Sequence, residues 1–316
     1  MNSKKCVFCN SSKVIKKGKQ GVYQRWRCKE CKKKFQSNRK ALPTKEELFY
    51  SFTFHKQTYA EIARFQHIRV SKTKELIDSY VLPIKVHNPR EVYLEIDATY
   101  FGTEENKFCL IVFRDPFLKE NLIWRFVDTE RVAHYLEMRY ELEDLGYVIL
   151  SITADGLPLF RRVFKDIPYQ MCLIHMERII IRGTTRKPKL EAGIALLSLA
   201  KSLPRLSEKR FKDYMNKYTL RYFHFLNERT HSELTGEWWY THEKLREAFL
   251  SLQNLSEYLF TYTRDANIQS NTNSIEGMFG NIKKKVKVHN GLSVSRKKRL
   301  IEILLINGSS VFAYEK

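Results

Sequence analysis

Apolar and polar positions along the chain change their period several times, and the changes divide it into regions. Residues 1–40 are basic and short of apolar runs. Within them Gly21-Val-Tyr-Gln-Arg-Trp-Arg27 alternates like one strand of a small hairpin. Residues 44–82 have helical spacing. Thr44-Lys-Glu-Glu47 has the pattern of a capping box and opens a helix. Thr58–Ala63 reads as a second helix with Ala60, Ile62 and Ala63 facing inward, residues 66–69 as a turn, and Val70–Ile77 as a third helix. Pro83 and the segment ending at Arg90 read as a linker. Residues 91–177 then alternate strand and helix. Strands are expected at Tyr93–Tyr100, Lys107–Arg114, Asn121–Val127, Tyr147–Thr153 and Tyr169–Ile174, with helices over 129–145 and 157–165. Residues 178–268 are helical in period, including Leu190–Leu203 and Phe211–Leu226, and a helical pattern resumes to about residue 306.

Charge narrows the class of partner. The 316 residues carry 56 Lys and Arg against 35 Asp and Glu, a formal net charge of +21, with 43% hydrophobic residues. A globular chain this basic is suited to a polyanion, because each cation near a phosphate releases a condensed counterion. No stretch is long and apolar enough to span a bilayer, and the first ten residues have no apolar segment of the signal-peptide kind. The expectation is a cytoplasmic, nucleic-acid-binding protein with no membrane partner.

Four of the six cysteines fall in the first 31 residues, as Cys6-Val-Phe-Cys9 and Cys28-Lys-Glu-Cys31 with eighteen residues between the pairs. Two such knuckles can close a tetrahedron of thiolates around one structural Zn²⁺. So short a segment has too little core to fold without that help. The surrounding Lys29, Lys32, Lys33, Lys34, Arg39 and Lys40 suit either DNA contact or a solvated basic face. The two helices over 58–77 suit a helix-turn-helix, which would bring Ser71, Lys72 and Lys74 nearest DNA; any short three-helix bundle gives the same pattern.

Three consecutive strands, a helix, a strand, a helix and a strand is the order of an RNase H-like mixed sheet. In it Asp97 lies on the central first strand and Asp155 at the carboxyl end of the neighbouring fourth, where ligands of open sheets gather. Two acids brought together in a basic protein repel unless a cation lies between them. Mg²⁺ or Mn²⁺, two ions in such a site, would satisfy them and leave positions for water and phosphate. Glu95 shares the strand face of Asp97 and is its rival, whereas Asp115 and Asp166 read as turn residues.

Asp97 in Ile-Asp-Ala-Thr-Tyr-Phe, Asp155 in Thr-Ala-Asp-Gly, Cys172-Leu-Ile-His175 and Thr272-Asn-Ser-Ile-Glu-Gly277 occur in the order seen in DDE transposases. Over about residues 91–306 the chain resembles most the bacterial Mutator-like insertion-sequence enzymes. That resemblance implies Asp97, Asp155 and Glu276 as the catalytic carboxylates, with Asn271–Ser274 capping a helix that presents Glu276 inward beside Phe279 and Ile282. It makes Cys172 and His175 part of the core, orienting a carboxylate, contacting DNA, or simply buried. It implies transposon ends and target DNA as partners, and a homodimer or higher oligomer on DNA.

Asp155 and Glu276 are 121 positions apart, so residues 178–268 read as an all-α insertion, and 269–316 as the returning helices of the core. Trp238 in Trp238-Trp-Tyr240 suits either base stacking or an ordinary helical core. The basic runs after Glu276 place Lys283, Lys284 and Arg296 as phosphate contacts or solvated charges. His289-Asn-Gly-Leu-Ser293 resembles a family segment in which arginine usually stands at Asn290. The expected architecture is therefore a zinc ribbon (1–40), a helix-turn-helix (44–82), and an RNase H-like α/β core (91–177 and 269–316) interrupted by the helical insertion. Its expected activity is metal-dependent DNA cleavage and strand transfer; another RNase H-like nuclease, or a DNA-binding protein with an inactive core, are the alternatives.

Overall fold

Strand-forming residues on either side of Gly21 pair Val14–Gln20 (β1) with Tyr23–Cys28 (β2), and Lys34–Gln36 (β3) joins β2, all antiparallel. The structure is a computed structural model that describes residues 4–21, 23–36 and 43–307; Val22, Arg39 and Lys40 lie outside them. Phe35 and the cysteines Cys6 and Cys28 form a core too small to hold a sheet by apolar burial alone. Lys45–Thr53 (α1), Tyr59–Gln66 (α2) and Val70–Asp78 (α3) follow. Thr44 and Glu47 make both bonds of the expected capping box, at 3.1 and 2.7 Å, and Thr58 with Glu61 makes a second. Left-handed His67 (φ 52°) ends α2 where the turn was expected. Ile62 and Ala63 are buried, but Ala60 is exposed, contrary to expectation; at that turn Tyr59 faces α1 instead, stacked on Phe52 with ring centroids 4.6 Å apart.

The chain divides into two compact units, Met1–Val81 and Leu82–Lys316. In the second, Glu91–Phe101 (β4), Phe108–Asp115 (β5), Glu120–Val127 (β6), Val148–Ala154 (β7) and Tyr169–Met171 (β8) form one mixed sheet in the order β6-β5-β4-β7-β8. The first three strands are antiparallel neighbours, and β7 and β8 run parallel to β4. Their connections are Val132–Asp144 (α4) and Pro158–Val163 (α5), the helices that parallel strands require. β4 is central with β7 beside it, as expected. The fifth strand is shorter than expected. The N–H of Cys172 bonds to Ala154 O at 2.8 Å, and the chain then turns into Leu173–Thr184 (α6), so Ile174 is helical.

Residues 85–90 are not a free linker. Lys85 pairs with Glu120 at 2.5 Å, and Arg90 bonds to Asp115 and Glu120 at 2.6 and 2.8 Å, which fastens the segment to the β5–β6 turn. Glu191–Ser202 (α7), Glu208–Leu226 (α8) and Glu243–Asn254 (α9) continue the helical segment and share the sheet's apolar core. That segment is not all-α, however. Arg229–His231 (β9) and Trp238–Tyr240 (β10) form an antiparallel hairpin. Aromatic and β-branched residues favour extension there, and Gly236, at φ 69°, supplies the left-handed turn position.

Asn273–Val288 (α10) and Val294–Asn307 (α11) return to the sheet. Buried Arg114 on β5 donates to Ser274 Oγ at 2.9 Å and to Asn121 Oδ1 at 2.6 Å, and Asn121 donates to Leu305 O at 2.9 Å. One guanidinium thereby links two strands to both final helices. Arg114→Ala should cost about 3–5 kcal/mol in urea denaturation, because Asn121 and Ser274 lose a donor and buried Glu95 loses the positive charge beside it. Asp166→Asn, which removes a half-exposed pair with Arg139, should cost about 1 kcal/mol at most.

Candidate active site

Strand register places the first two acids together. In the parallel β4–β7 pair, Glu95 lies opposite Thr153. Asp97 and Asp155 each stand two residues further on, so Asp97, within β4, lies level with Asp155 just past the end of β7. β7 stops at Ala154, which leaves Asp155 to bend out and accept the N–H of Leu157 at 3.0 Å. Asp97 accepts the N–H of Ala98 at 2.9 Å. Burial raises Asp97 to about 7 against that bond, and the charges of Asp155, Glu276 and Glu130 push the same way. Burial likewise raises Asp155 to about 6, with Glu130 adding to the shift and Arg182 opposing it.

Glu95, the expected rival of Asp97, has another task. It is 2% exposed, and its Oε2 accepts the N–H of Ile275 in the first turn of α10 at 2.9 Å. It therefore acts as a cap from another strand, with burial raising it to about 7 while the helix N–H groups and Arg114 pull it down. Asn271 Oδ1 accepts the N–H of Asn273 at 3.1 Å, so the expected capping segment also contributes. With the helix start so held, Phe279 and Ile282 are buried and Glu276 lies in the first turn, its charge felt at Asp97.

The carboxylate of Glu276 is engaged by Arg178 of α6 through two parallel bonds of 2.9 and 2.6 Å. His175 Nε2 lies 3.7 Å from Glu276 Oε1. Cys172, at the start of α6, receives the hydroxyl of Thr272, at the start of α10, at 3.3 Å; both residues are fully buried. Cys172 thus joins two helix starts, and His175 flanks the acid. Arg178, Arg114 and Glu130 were absent from the sequence reading. Arg178 had a local signal, since it falls on the helical face of His175 three residues on; Arg114 is brought in by strand pairing, and Glu130 by the β6–α4 connection, where it accepts the Tyr135 hydroxyl.

Among the described residues, two groups of ligand atoms lie within 4.8 Å of one another: Cys6, Cys9, Cys28 and Cys31, and Cys172, His175 and Glu276. Asp97 and Asp155 belong to neither. Sulfur separations of 3.6 Å for Cys6–Cys31 and Cys9–Cys28 come close to the edge of about 3.8 Å in a tetrahedron with Zn–S bonds of about 2.3 Å. The four thiols therefore fit zinc. The hard oxygens of Asp97 and Asp155, both raised by burial, fit Mg²⁺ or Mn²⁺.

Residues expected to touch DNA are all on the surface of their own unit. Ser71, Lys72 and Lys74 are exposed on α3, with Lys72 paired to Glu75 at 2.5 Å. Lys283 and Lys284 are exposed on α10, and Arg296 is half-buried on α11. Trp238 is 47% exposed on the hairpin, with the Arg229 guanidinium 4.0 Å from its ring centre. It belongs neither to a helix nor to the core.

No protein-family model matches the chain. No curated protein matches it in sequence. Among solved structures it matches the HTLV-2 integrase catalytic core domain in complex with magnesium at 19% identity, covering 48% of this chain and 95% of that one, with a TM-score of 0.22. The Drosophila P element transposase strand transfer complex matches at 8% identity over 87% of this chain and 94% of that one, with a TM-score of 0.38. The Mos1 strand transfer complex matches at 10% identity over 71% and 79%, with a TM-score of 0.19.

The raised acids make stability depend on pH. Between about 4 and 7 the folded chain keeps protons on Asp97 that the unfolded chain releases, so stability falls as pH rises through that window. Asp97→Asn should raise Tm by a few degrees at pH 7.5 in buffer free of divalent cations other than zinc, and the gain should shrink as pH falls and vanish below about pH 4. Thermal melts across that range check it; a gain independent of pH would contradict the assignment.

Proposed function

We propose that the chain is a DNA transposase of the DDE type, with an RNase H-like core in which Asp97, Asp155 and Glu276 form the metal-holding set. The observation that carries this reading is the β4–β7 register, by which Asp97 on the central strand lies level with Asp155 just past the end of the neighbouring strand, both half-buried. Glu276 would complete it from α10, a reading supported by the effect of its charge on Asp97. The resemblance of the four motifs to Mutator-like insertion-sequence enzymes supplies the finer identity.

Divalent ions held by these carboxylates would supply the positive charge that activates an attacking oxygen and stabilises a leaving one. The chain's own part is to bring phosphate to that place. Lys283 and Lys284 extend from Glu276 along α10 as a basic face, and Arg296 stands on α11. Ser71, Lys72 and Lys74 on α3 would read duplex DNA as the second helix of a helix-turn-helix. The four cysteines would hold one structural zinc ion. Trp238 would stack on a base opened at the cleavage site, a role that its half-exposed ring and the adjacent Arg229 suit. The substrates would be transposon ends and target DNA, bound by a homodimer or higher oligomer.

Two measurements test this. Asp97→Asn, Asp155→Asn and Glu276→Gln should each lower cleavage and joining of labelled transposon ends in Mg²⁺ by at least about a thousandfold, because each acid acts only as part of the set. Gel-shift affinity should hold or rise, since a negative charge near phosphate is lost. Glu95→Gln should cut, because the amide oxygen still accepts from Ile275. Cleavage at the wild-type rate by Glu276→Gln would overturn the third assignment. For the N-terminal module, Cys28→Ser should release about one zinc ion per chain and unfold the β1–β3 sheet, leaving the second unit folded. Metal analysis that finds no zinc in the wild type would overturn that part.

A further inference from the structure

The Arg178–Glu276 pair is in the wrong place for an ordinary structural ion pair. It joins the acid assigned to the metal-holding set to a guanidinium from the other side of the insertion, through a bidentate contact at 2.9 and 2.6 Å. Such a contact uses both oxygens of the carboxylate. Only the outer lone pair of each oxygen is then left for a divalent cation, and a guanidinium so close would repel one. Arg178 also lies in the field of Asp97, so it is a positive charge set among the acids, with Arg182 acting on Asp155.

Burial decides whether the contact can open. Arg114, 4% exposed and bonded to Ser274 and Asn121, could not leave its partners without stranding buried charge. The Arg178 side chain is 50% exposed and that of Glu276 24%, so water can receive the guanidinium. Arg182 is exposed one turn further along α6, on the same helical face. The two arginines form a basic ridge beside the acids. A freed guanidinium fork matches a phosphate as well as it matches a carboxylate.

We propose that Arg178 is a displaceable counter-charge: it holds Glu276 while the site lacks a divalent cation, then yields the carboxylate to the cation and turns to a DNA phosphate. This rests on the reading that Asp97, Asp155 and Glu276 hold the ion. Arg178 is a positioning residue that couples cation binding to DNA binding. Without cation its charge is spent on Glu276; with cation it is available to the backbone. A purely structural pair predicts no such coupling.

The test uses the full zinc-loaded chain and Mn²⁺, titrated without DNA and followed by the electron paramagnetic resonance signal of free Mn²⁺. Arg178→Gln should bind Mn²⁺ about tenfold more tightly than wild type, about 1.4 kcal/mol. In a Glu276→Gln background the same change should have no effect, because Arg178 acts through that acid. Arg178→Lys, which keeps the charge and loses the fork, should fall between and serves if the glutamine variant does not fold. Gel shifts should show Arg178→Gln weakening duplex binding in Ca²⁺ and leaving it unchanged without divalent cation. Unchanged or weaker Mn²⁺ binding by Arg178→Gln, with binding still lost in Asp97→Asn, would overturn the proposal and leave the metal site standing. Wild-type Mn²⁺ binding that survives Asp97→Asn would overturn the reading of the acids, and the proposal with it.

Discussion

A carboxylate buried on the central strand holds the returning helix to the sheet. Glu95 accepts the N–H of Ile275 at the start of α10, and Arg114 reaches Ser274 beside it. The place of the third acid follows from that contact. α10 begins 119 residues after β7 ends, and helix geometry alone says nothing about where it lands. Once its first turn is fixed against β4, Glu276 must lie near Asp97, because both are within two residues of the contact. The cost of burying Glu95 is partly offset by the helix N–H groups and by Arg114, although burial still raises its carboxyl to about 7.

The insertion returns to the core through hydrogen bonds as well as apolar packing. Thr153 donates to Gln269 O at 2.8 Å, the N–H of Leu173 to Ser270 O at 3.0 Å, and Gln170 accepts the N–H of Tyr262 at 2.9 Å. These bonds stitch residues 262–270 across the ends of β7 and β8, so the start of α10 is delivered next to the start of α6. The Cys172–Thr272 contact closes the same seam. A long excursion is thereby compatible with a site whose parts lie far apart in sequence, since loop closure costs little per added residue compared with the contacts at its ends.

Electrostatics sets the second constraint. The chain carries a net charge of +21, yet its sheet ends in a cluster of acids raised by burial and by one another. In the structure Arg178 pairs with Glu276 and Arg182 acts weakly against the shift of Asp155, while Asp97 pairs with no cation among the described residues. A site in that condition is suited to a small, highly charged cation, and the surrounding basic surface is suited to phosphate.

Local chemistry was legible in the sequence where one element suffices to express it. The strands of the sheet, both CxxC knuckles, the Thr44 capping box and the residues that bury one face of α10 could all be read from period and spacing, because each depends on backbone geometry over a few residues. The extent of β8, the exposure of Ala60 and the hairpin carrying Trp238 were misread. There the deciding partners, Ala154 O, Phe52 and the opposite hairpin strand, are remote or only weakly signalled. The sequence by itself determined which side chains could hold a metal ion. Tertiary structure decided which of them meet: it made Glu95 a cap rather than a ligand, set Asp97 level with Asp155, and brought Arg178 to Glu276. Those outcomes depend on strand register and on burial, and both arise only when segments separated by a hundred residues share one low-dielectric interior.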